Sequence, residues 1–247
     1  MTLLTVEGLS KRFGGVVACD QVALEVRPGE LHAVIGPNGA GKTTLLNLLS
    51  GELLSDEGRI ALDGREIGAL DAPARAALGI GRSFQITSVF GEFTAHENVA
   101  LAVQARAGHS FRFFAEARRE RALADGARDM LERMGLGERA NTPAAALSHG
   151  EQRQLEIAMA LAARPRLLLL DEPTAGMGPS ESARMVEFLA SLKGTIAMLL
   201  VEHDMDAVFA LADRITVMTY GRVIATGSPD AIRANDEVRA AYLGTDS

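Results

Sequence analysis

Residues Gly36 to Thr44 read Gly-Pro-Asn-Gly-Ala-Gly-Lys-Thr-Thr and fit the pattern G-x-x-x-x-G-K-[ST] at Gly36, Gly41, Lys42 and Thr43. These residue types prescribe phosphate chemistry. Glycines let a backbone curl until several N–H groups face phosphate oxygens. A helix starting at the end of such a loop adds the positive end of its dipole. Lys42 suits the β- and γ-phosphates as a point charge, and the Thr43 hydroxyl is a hard oxygen ligand for Mg2+. Pro37, Asn38, Gly39, Ala40 and Thr44 complete the stretch that would wrap the phosphates.

A second group supplies carboxylates. The run "LLLLDE" ends in Asp171 and Glu172. An apolar strand that ends in acids delivers them to the carboxyl edge of a sheet, where open α/β sheets bind ligands. Asp171 suits a second contact to Mg2+, and Glu172 suits the orientation and deprotonation of an attacking water. Three further residues carry two readings each. His203 follows the run "TIAMLLVE" and is either a structural histidine or a γ-phosphate contact. Gln85, in "GRSFQ", is either an ordinary polar residue or an oxygen ligand. Phe13, in "KRFGG", either packs on the edge of the first strands or stacks on a base.

A third stretch, "LSHGEQ" at 147–152, opens a helical pattern with apolar residues at Leu155, Ala158, Met159 and Ala162. Ser148 and Glu151 form a capping box. Gly150 lies inside it, where glycine weakens a first turn.

These residues need a frame. "LLTVEGL" and "VVACDQVALEV" alternate like antiparallel strands, with "RPGE" at 27–30 as a turn. "LHAVIG" at 31–36 is continuously apolar, like a strand buried on both faces. "KTTLLNLLS" follows as a helix, and "RLLLLDE", "TIAMLLVEHD" and "RITVMTYGRVIATG" are further strand-like runs separated by helical stretches. That alternation predicts an α/β core with a parallel sheet. Residues 95–146 break the rhythm: they are rich in Ala, Arg, Glu and Leu and open with a capping box at Thr94 and Glu97. They read as a helical insertion. Inside it, "HSFRFF" gathers Phe111, Phe113 and Phe114, which either bury within the insertion or dock a partner.

The 247 residues carry a net charge of −7, which disfavours non-specific nucleic-acid binding. Arginines between Arg112 and Arg133 alternate with acids, as on a solvated helix. Cys19 is the single cysteine, so an internal disulfide is impossible. The start "MTLLTVEGLS" does not resemble a secretion signal, and no run approaches the ~20 apolar residues that span a bilayer. A cytoplasmic protein is expected.

Taken in order, the phosphate loop, Gln85, "LSHGEQ", "LLLLDEP" and His203 resemble the ordered motifs of ATP-binding cassette (ABC) ATPases, along nearly the whole chain. The resemblance implies an α/β P-loop NTPase (RecA-like) cassette with an antiparallel β subdomain and an inserted helical subdomain. Its parts would be 1–94 (nucleotide-binding core with the phosphate loop), 95–164 (helical subdomain with the signature helix) and 165–247 (the rest of the core). It implies ATP and Mg2+, with Lys42, Glu172 and His203 catalytic and Thr43, Gln85 and Asp171 around the metal. Two cassettes would pair head to tail. Each ATP would lie between one phosphate loop and the other chain's Ser148, His149, Gly150 and Glu151. The implied partners are a second ABC ATPase subunit (or a homodimer in isolation), two membrane permease subunits and, indirectly, a periplasmic or extracellular substrate-binding protein. Nucleic acid is not among them. The implied location is the inner face of the cell membrane.

A closer resemblance is to an ATPase subunit of branched-chain amino acid importers. It rests on "GRSFQITSVFGEFTAHENV", "SHGEQRQLEIAMALAARPRLLLLDEPTAGMGP", "VEHDMDAVFALADRITVM" and "VRAAYLG". That subfamily also moves urea, short amides and aromatic acids, and its ATPases do not touch the cargo. Two departures from the wider family stand out. His149 replaces the first glycine of the usual LSGGQ signature, and Ala175-Gly176-Met177-Gly178 stands where Ser-Ala-Leu-Asp is usual. Competing readings are the lipopolysaccharide-export ATPase, which shares the "YLG" ending, and soluble ABC proteins of translation or repair. The latter carry a second cassette or long coiled-coil heptads, both missing here. A GTPase switch would need an Asn/Thr-Lys-x-Asp motif, which is also missing.

Overall fold

The computed structural model describes residues 1–83, 89–106 and 117–240. Alternating apolar residues make β1 (Leu4–Phe13) and β2 (Val16–Val26), paired antiparallel from Leu4↔Val26 to Phe13↔Val16. The Gly14-Gly15 turn between them suits a tight hairpin, whose central positions favour left-handed backbone. β3 (Leu31–Ile35) is buried throughout, and α1 (Lys42–Ser50) follows the glycine-rich loop. Next come β4 (Glu57–Leu62), β5 (Arg65–Glu66), α2 (Ala72–Ala77) and β6 (Ile80–Arg82). The first sheet is antiparallel in the order β2-β1-β4-β5.

Three helices follow: α3 (Ala95–Arg106), α4 (Ala117–Arg133) and α5 (His149–Ala162). The chain then alternates β7 (Leu167–Asp171), α6 (Pro179–Leu192), β8 (Ala197–Val201), α7 (Met205–Leu211) and β9 (Arg214–Thr219), and ends with β10 (Arg222–Gly227), α8 (Pro229–Arg233) and α9 (Asp236–Val238). The second sheet has the order β10-β9-β3-β8-β7-β6. Its pairs β9–β3, β3–β8 and β8–β7 are parallel, as the alternation of strands and helices predicts. "RITVMTYGRVIATG" folds as an antiparallel hairpin about Tyr220 and Gly221.

The chain divides into two compact units. One comprises Met1–Ile80, Arg166–Glu172 and Leu189–Ser247; the other comprises Gly81–Pro165 and Pro173–Phe188. In the first unit, Leu45, Leu46, Leu48 and Leu49 of α1 share one apolar core with Val34, Leu167, Leu169, Leu199 and the inward residues of the antiparallel sheet. Burying a leucine is worth about 1.5–3 kcal/mol, so this core fixes α1, and with it the loop, against both sheets. Arg75 completes that anchorage. Its fully buried guanidinium donates to the carbonyls of Leu48, Leu49, Gly68 and Leu70, and so satisfies the open end of α1. Cys19 is also buried, its Sγ 3.9 Å from the Gly41 carbonyl, and burial pushes its pKa up to about 12.

The second unit is built on α3, α4 and α5, with Val99, Ala127, Leu131 and Leu155 buried. Both capping boxes exist. Thr94 Oγ1 accepts the Glu97 N–H at 3.2 Å, and Glu97 Oε2 accepts the Thr94 N–H at 2.8 Å. Arg128 lies on the exposed surface of α4, 3.7 Å from Glu132 one turn on. Among the described residues no helix is long and apolar enough to cross a membrane.

Candidate functional site

β3 delivers the chain into the glycine-rich loop, and Gly41, at φ 99°, caps α1. Close approach forces two of the glycines. A Cβ on Gly36 would collide with the Met218 carbonyl oxygen, and one on Gly41 with that of Ala18. Asn38 and Gly39 are exposed at the crest, Pro37 is half-buried and Ala40 is buried. The Ala40 carbonyl accepts the Gly221 N–H at 3.0 Å, which ties the loop to the β9–β10 turn. Lys42 folds back so that its ammonium donates to the carbonyls of Gly36 and Pro37 at 2.7 and 3.0 Å. Burial lowers the Lys42 pKa, and the charges of Glu172 and Asp171 oppose that shift. Thr43 and Thr44 follow, half-buried, in the first turn.

Strand register sets the carboxylates beside this loop. β8 lies between β3 and β7, with Val201 opposite Val34 on one side and Asp171 on the other. The three carboxyl ends are therefore level, the usual ligand-binding edge of an open α/β sheet. Asp171 closes β7 and is fully buried. Glu172 then turns into left-handed backbone at φ 48°, its N–H donating to the Val201 carbonyl at 2.8 Å. That conformation costs a non-glycine residue roughly 1–2 kcal/mol. Here the cross-strand hydrogen bond holds it and breaks the strand just where the second acid leaves the sheet.

His203 stands two residues beyond β8. Its Nδ1 is 3.6 Å from Glu172 Oε1 and 3.5 Å from Glu202 Oε2, and its side chain is 59% exposed. Glu202 is almost fully buried and accepts the N–H groups of His203 and Asp204 at 2.8 and 3.3 Å. It holds the turn that presents His203. The residue pattern did not single it out, although its place directly before the histidine was a signal. Phe13, at the tip of β1, is 47% exposed, with the Lys11 ammonium 5.8 Å from its ring centroid. Gln85 lies outside the described residues, as do Phe111, Phe113 and Phe114.

In the second unit, α5 begins as the sequence predicts. Ser148 Oγ accepts the Glu151 N–H at 3.2 Å, and Glu151 Oε2 accepts the Ser148 N–H at 2.9 Å. The Ser148 N–H leads the causes that hold the Glu151 carboxyl below its ordinary pKa, and Arg139, 3.0 Å away, adds to them. Ser148 and His149 are exposed, whereas Gly150 is buried. An aromatic pair that was not anticipated lies before α3. Phe90 and Phe93 are exposed with ring centroids 5.7 Å apart. The buried Asn98 side chain fixes their turn, accepting the Phe90 N–H and donating to the carbonyls of Phe90, Phe93 and Thr94.

The donors offered by the first turn of α1 and the end of β7 fit Mg2+ by their chemistry. The Thr43 hydroxyl and Asp171 carboxylate are hard oxygens, and this ion is commonly held by one or two protein groups plus substrate phosphates. Among the described residues no cluster of three or more His, Cys, Asp or Glu is placed to hold a metal.

Comparison with known proteins points one way. The family model described as ABC transporter matches residues 19–175, and one described as branched-chain amino acid ATP-binding cassette transporter matches residues 222–247. The chain is 41% identical, over 98% of both lengths, to the high-affinity branched-chain amino acid transport ATP-binding protein LivG of Salmonella typhimurium. It is 33% identical to the lipopolysaccharide export system ATP-binding protein LptB of Haemophilus influenzae, over 99% of this chain and 98% of that one. A solved nucleotide-free ATP-binding cassette from an ABC transporter superposes with a TM-score of 0.85 at 29% identity, over 99% of this chain and 100% of that one. A dimeric ATP-binding cassette bound to ADP and Pi superposes at 0.81 with 25% identity, over 92% and 99%.

Proposed function

The chain belongs to the ABC transporter ATPases, and on that premise we propose that it binds MgATP in the Gly36–Thr44 loop, hydrolyses it with Glu172 as general base, and powers an importer of branched-chain amino acids or related small amino acids and amides. The observation that carries this reading is the register that sets Asp171, with Glu172 directly after it, level with the end of β3, which leads into the loop that carries the buried Lys42. Lys42 takes the β- and γ-phosphates. Glu172 accepts a proton from a water whose oxygen attacks the γ-phosphorus, the bond to the leaving ADP oxygen breaks, and inorganic phosphate departs. His203, beside Glu172, contacts the γ-phosphate, and Phe13 stacks on the adenine. Thr43, Asp171 and Gln85 would hold Mg2+, which would supply charge neutralisation to the phosphates.

Ser148, His149, Gly150 and Glu151 contact the γ-phosphate held by a second cassette, so ATP binding closes the pair. That closure works two permease subunits at the inner face of the membrane, fed by a substrate-binding protein. The names of the relatives and the match over residues 222–247 support the cargo class, and the lower identity to the lipopolysaccharide exporter weighs against that alternative.

The test is Glu172→Gln. A positioned general base is worth ~10²–10⁴ in rate, or about 3–5 kcal/mol of barrier. The variant should bind MgATP, lose turnover by that factor and accumulate as an ATP-bound dimer with its partner cassette. Near-normal turnover would remove Glu172 from the role. The cargo is read separately, from the permeases that co-purify from solubilised membranes and the ligand of their binding protein.

A further inference from the structure

Gly150 is buried in the first turn of α5, and its φ lies outside the left-handed region that favours glycine. Its backbone conformation therefore does not explain the missing side chain. A carboxylate occupies the space. A Cβ built on Gly150 would lie 2.9 Å from Glu181 Oε2 and 3.4 Å from its Cδ. The same oxygen accepts the Gly178 N–H at 3.0 Å. Glu181 sits in the first turn of α6 and reaches back three residues, which is half of a capping box. The other half needs a polar side chain at 178, where this chain has glycine. A carboxylate acting only as a cap could stand in solvent. This one is half-buried and fills the notch left by Gly150, within a single compact unit.

We propose that Glu181 is a positioning residue. Its carboxylate locks the Ser148–Glu151 start of α5 to the Ala175–Gly178 loop that follows β7, so the two advance as one piece when cassettes close. The loop is where this chain departs from the usual Ser-Ala-Leu-Asp, and Glu181 holds its last residue by the backbone instead. The inference rests on the reading of Ser148–Glu151 as the ATP contact made to a second cassette.

The test uses the assembled transporter for kinetics and the single chain for ATP binding and melting. In Glu181→Ala, ATP binding by the single chain should stay at wild-type strength. The kcat of the assembly should fall about tenfold with KM little changed, as expected for one lost positioning hydrogen bond. Glu181→Gln should restore kcat, because its amide oxygen accepts the same N–H. Gly150→Ala adds the melting readout. Alanine normally stabilises a helix over glycine, so the substitution should raise the melting temperature in the Glu181→Ala background. With the carboxylate present it should fail to do so, because the methyl displaces it. Wild-type kcat in Glu181→Ala would reduce Glu181 to a plain cap. Equal melting shifts in both backgrounds would show that the carboxylate does not fill the notch. If the underlying reading is at fault, the failure appears elsewhere: the Glu172→Gln chain would not associate with its partner on adding ATP.

Discussion

A histidine inside a fully buried strand usually signals a satisfied hydrogen-bond network, and His32 is one. Its Nδ1 lies 3.0 Å from the Glu25 carbonyl and its Nε2 2.7 Å from Thr216 Oγ1, which in turn meets Thr226 Oγ1 at 2.8 Å. Burial lowers the His32 pKa from 6.5 to about 4, and the nearby Arg214 charge adds to the effect. The unfolded chain therefore binds a proton near pH 6.5 that the folded chain refuses until about pH 4. The stabilisation from keeping His32 neutral is complete above the upper value and is lost as pH falls through this window. The loss is on the order of 3 kcal/mol. Denaturant unfolding across that range should show the decline, and His32→Gln should flatten it. An unchanged slope in the variant would assign the acid limb to other groups. The candidate site residues were legible for a different reason. Lys42, Thr43, Asp171 and Glu172 lie in contiguous motifs whose types announce their chemistry. The left-handed backbone of Glu172 was not legible, because a hydrogen bond from another strand imposes it.

Helices α1 and α5 show what a sequence gives away about an element. Their starts are written locally, as a glycine-rich loop in one and a capping box in the other, and both begin where those signals lie. The end of α1 is written locally only in part: Gly51 stops it in left-handed backbone at φ 85°, but the pairing of its last carbonyls is not. That pairing depends on Arg75, more than twenty residues on, in the stretch β4–β6 whose short elements have no periodicity to read. At the start of α5, cap and phosphate contact compete as explanations of Ser148. Replacement by alanine cannot separate them, since losing a cap alone costs ~0.5–2 kcal/mol. Ser148→Asp separates them. Aspartate caps as well as serine and suits the helix dipole, so the single chain should melt normally. A carboxylate facing a γ-phosphate across a closing interface should abolish ATP-dependent association with the partner and the ATPase with it. Normal melting with normal association would leave Ser148 a helix cap and nothing more.

At the scale of the whole molecule, an ATPase that works on permeases needs a surface for them. Phe90 and Phe93 offer apolar area on a turn braced by Asn98, and their exposure means that folding does not consume them. Exposed substitutions of this kind usually shift stability by within about 0.5 kcal/mol. The double change Phe90→Ser, Phe93→Ser should therefore leave the melting temperature of the isolated chain nearly unchanged and weaken co-purification with the permeases. A large fall in melting temperature would mean that the pair serves the fold. Cys19 bears on how such experiments are done. It is the only thiol of the chain, sealed beneath the phosphate loop, with a pKa near 12 that leaves almost no thiolate at neutral pH. Maleimides and spin labels should pass it by while the protein is folded. A cysteine engineered at the exposed Tyr220 would then be the sole labelled position of this chain, and cassette closure could be followed by its distance to a probe on the partner cassette without first rebuilding the native sequence.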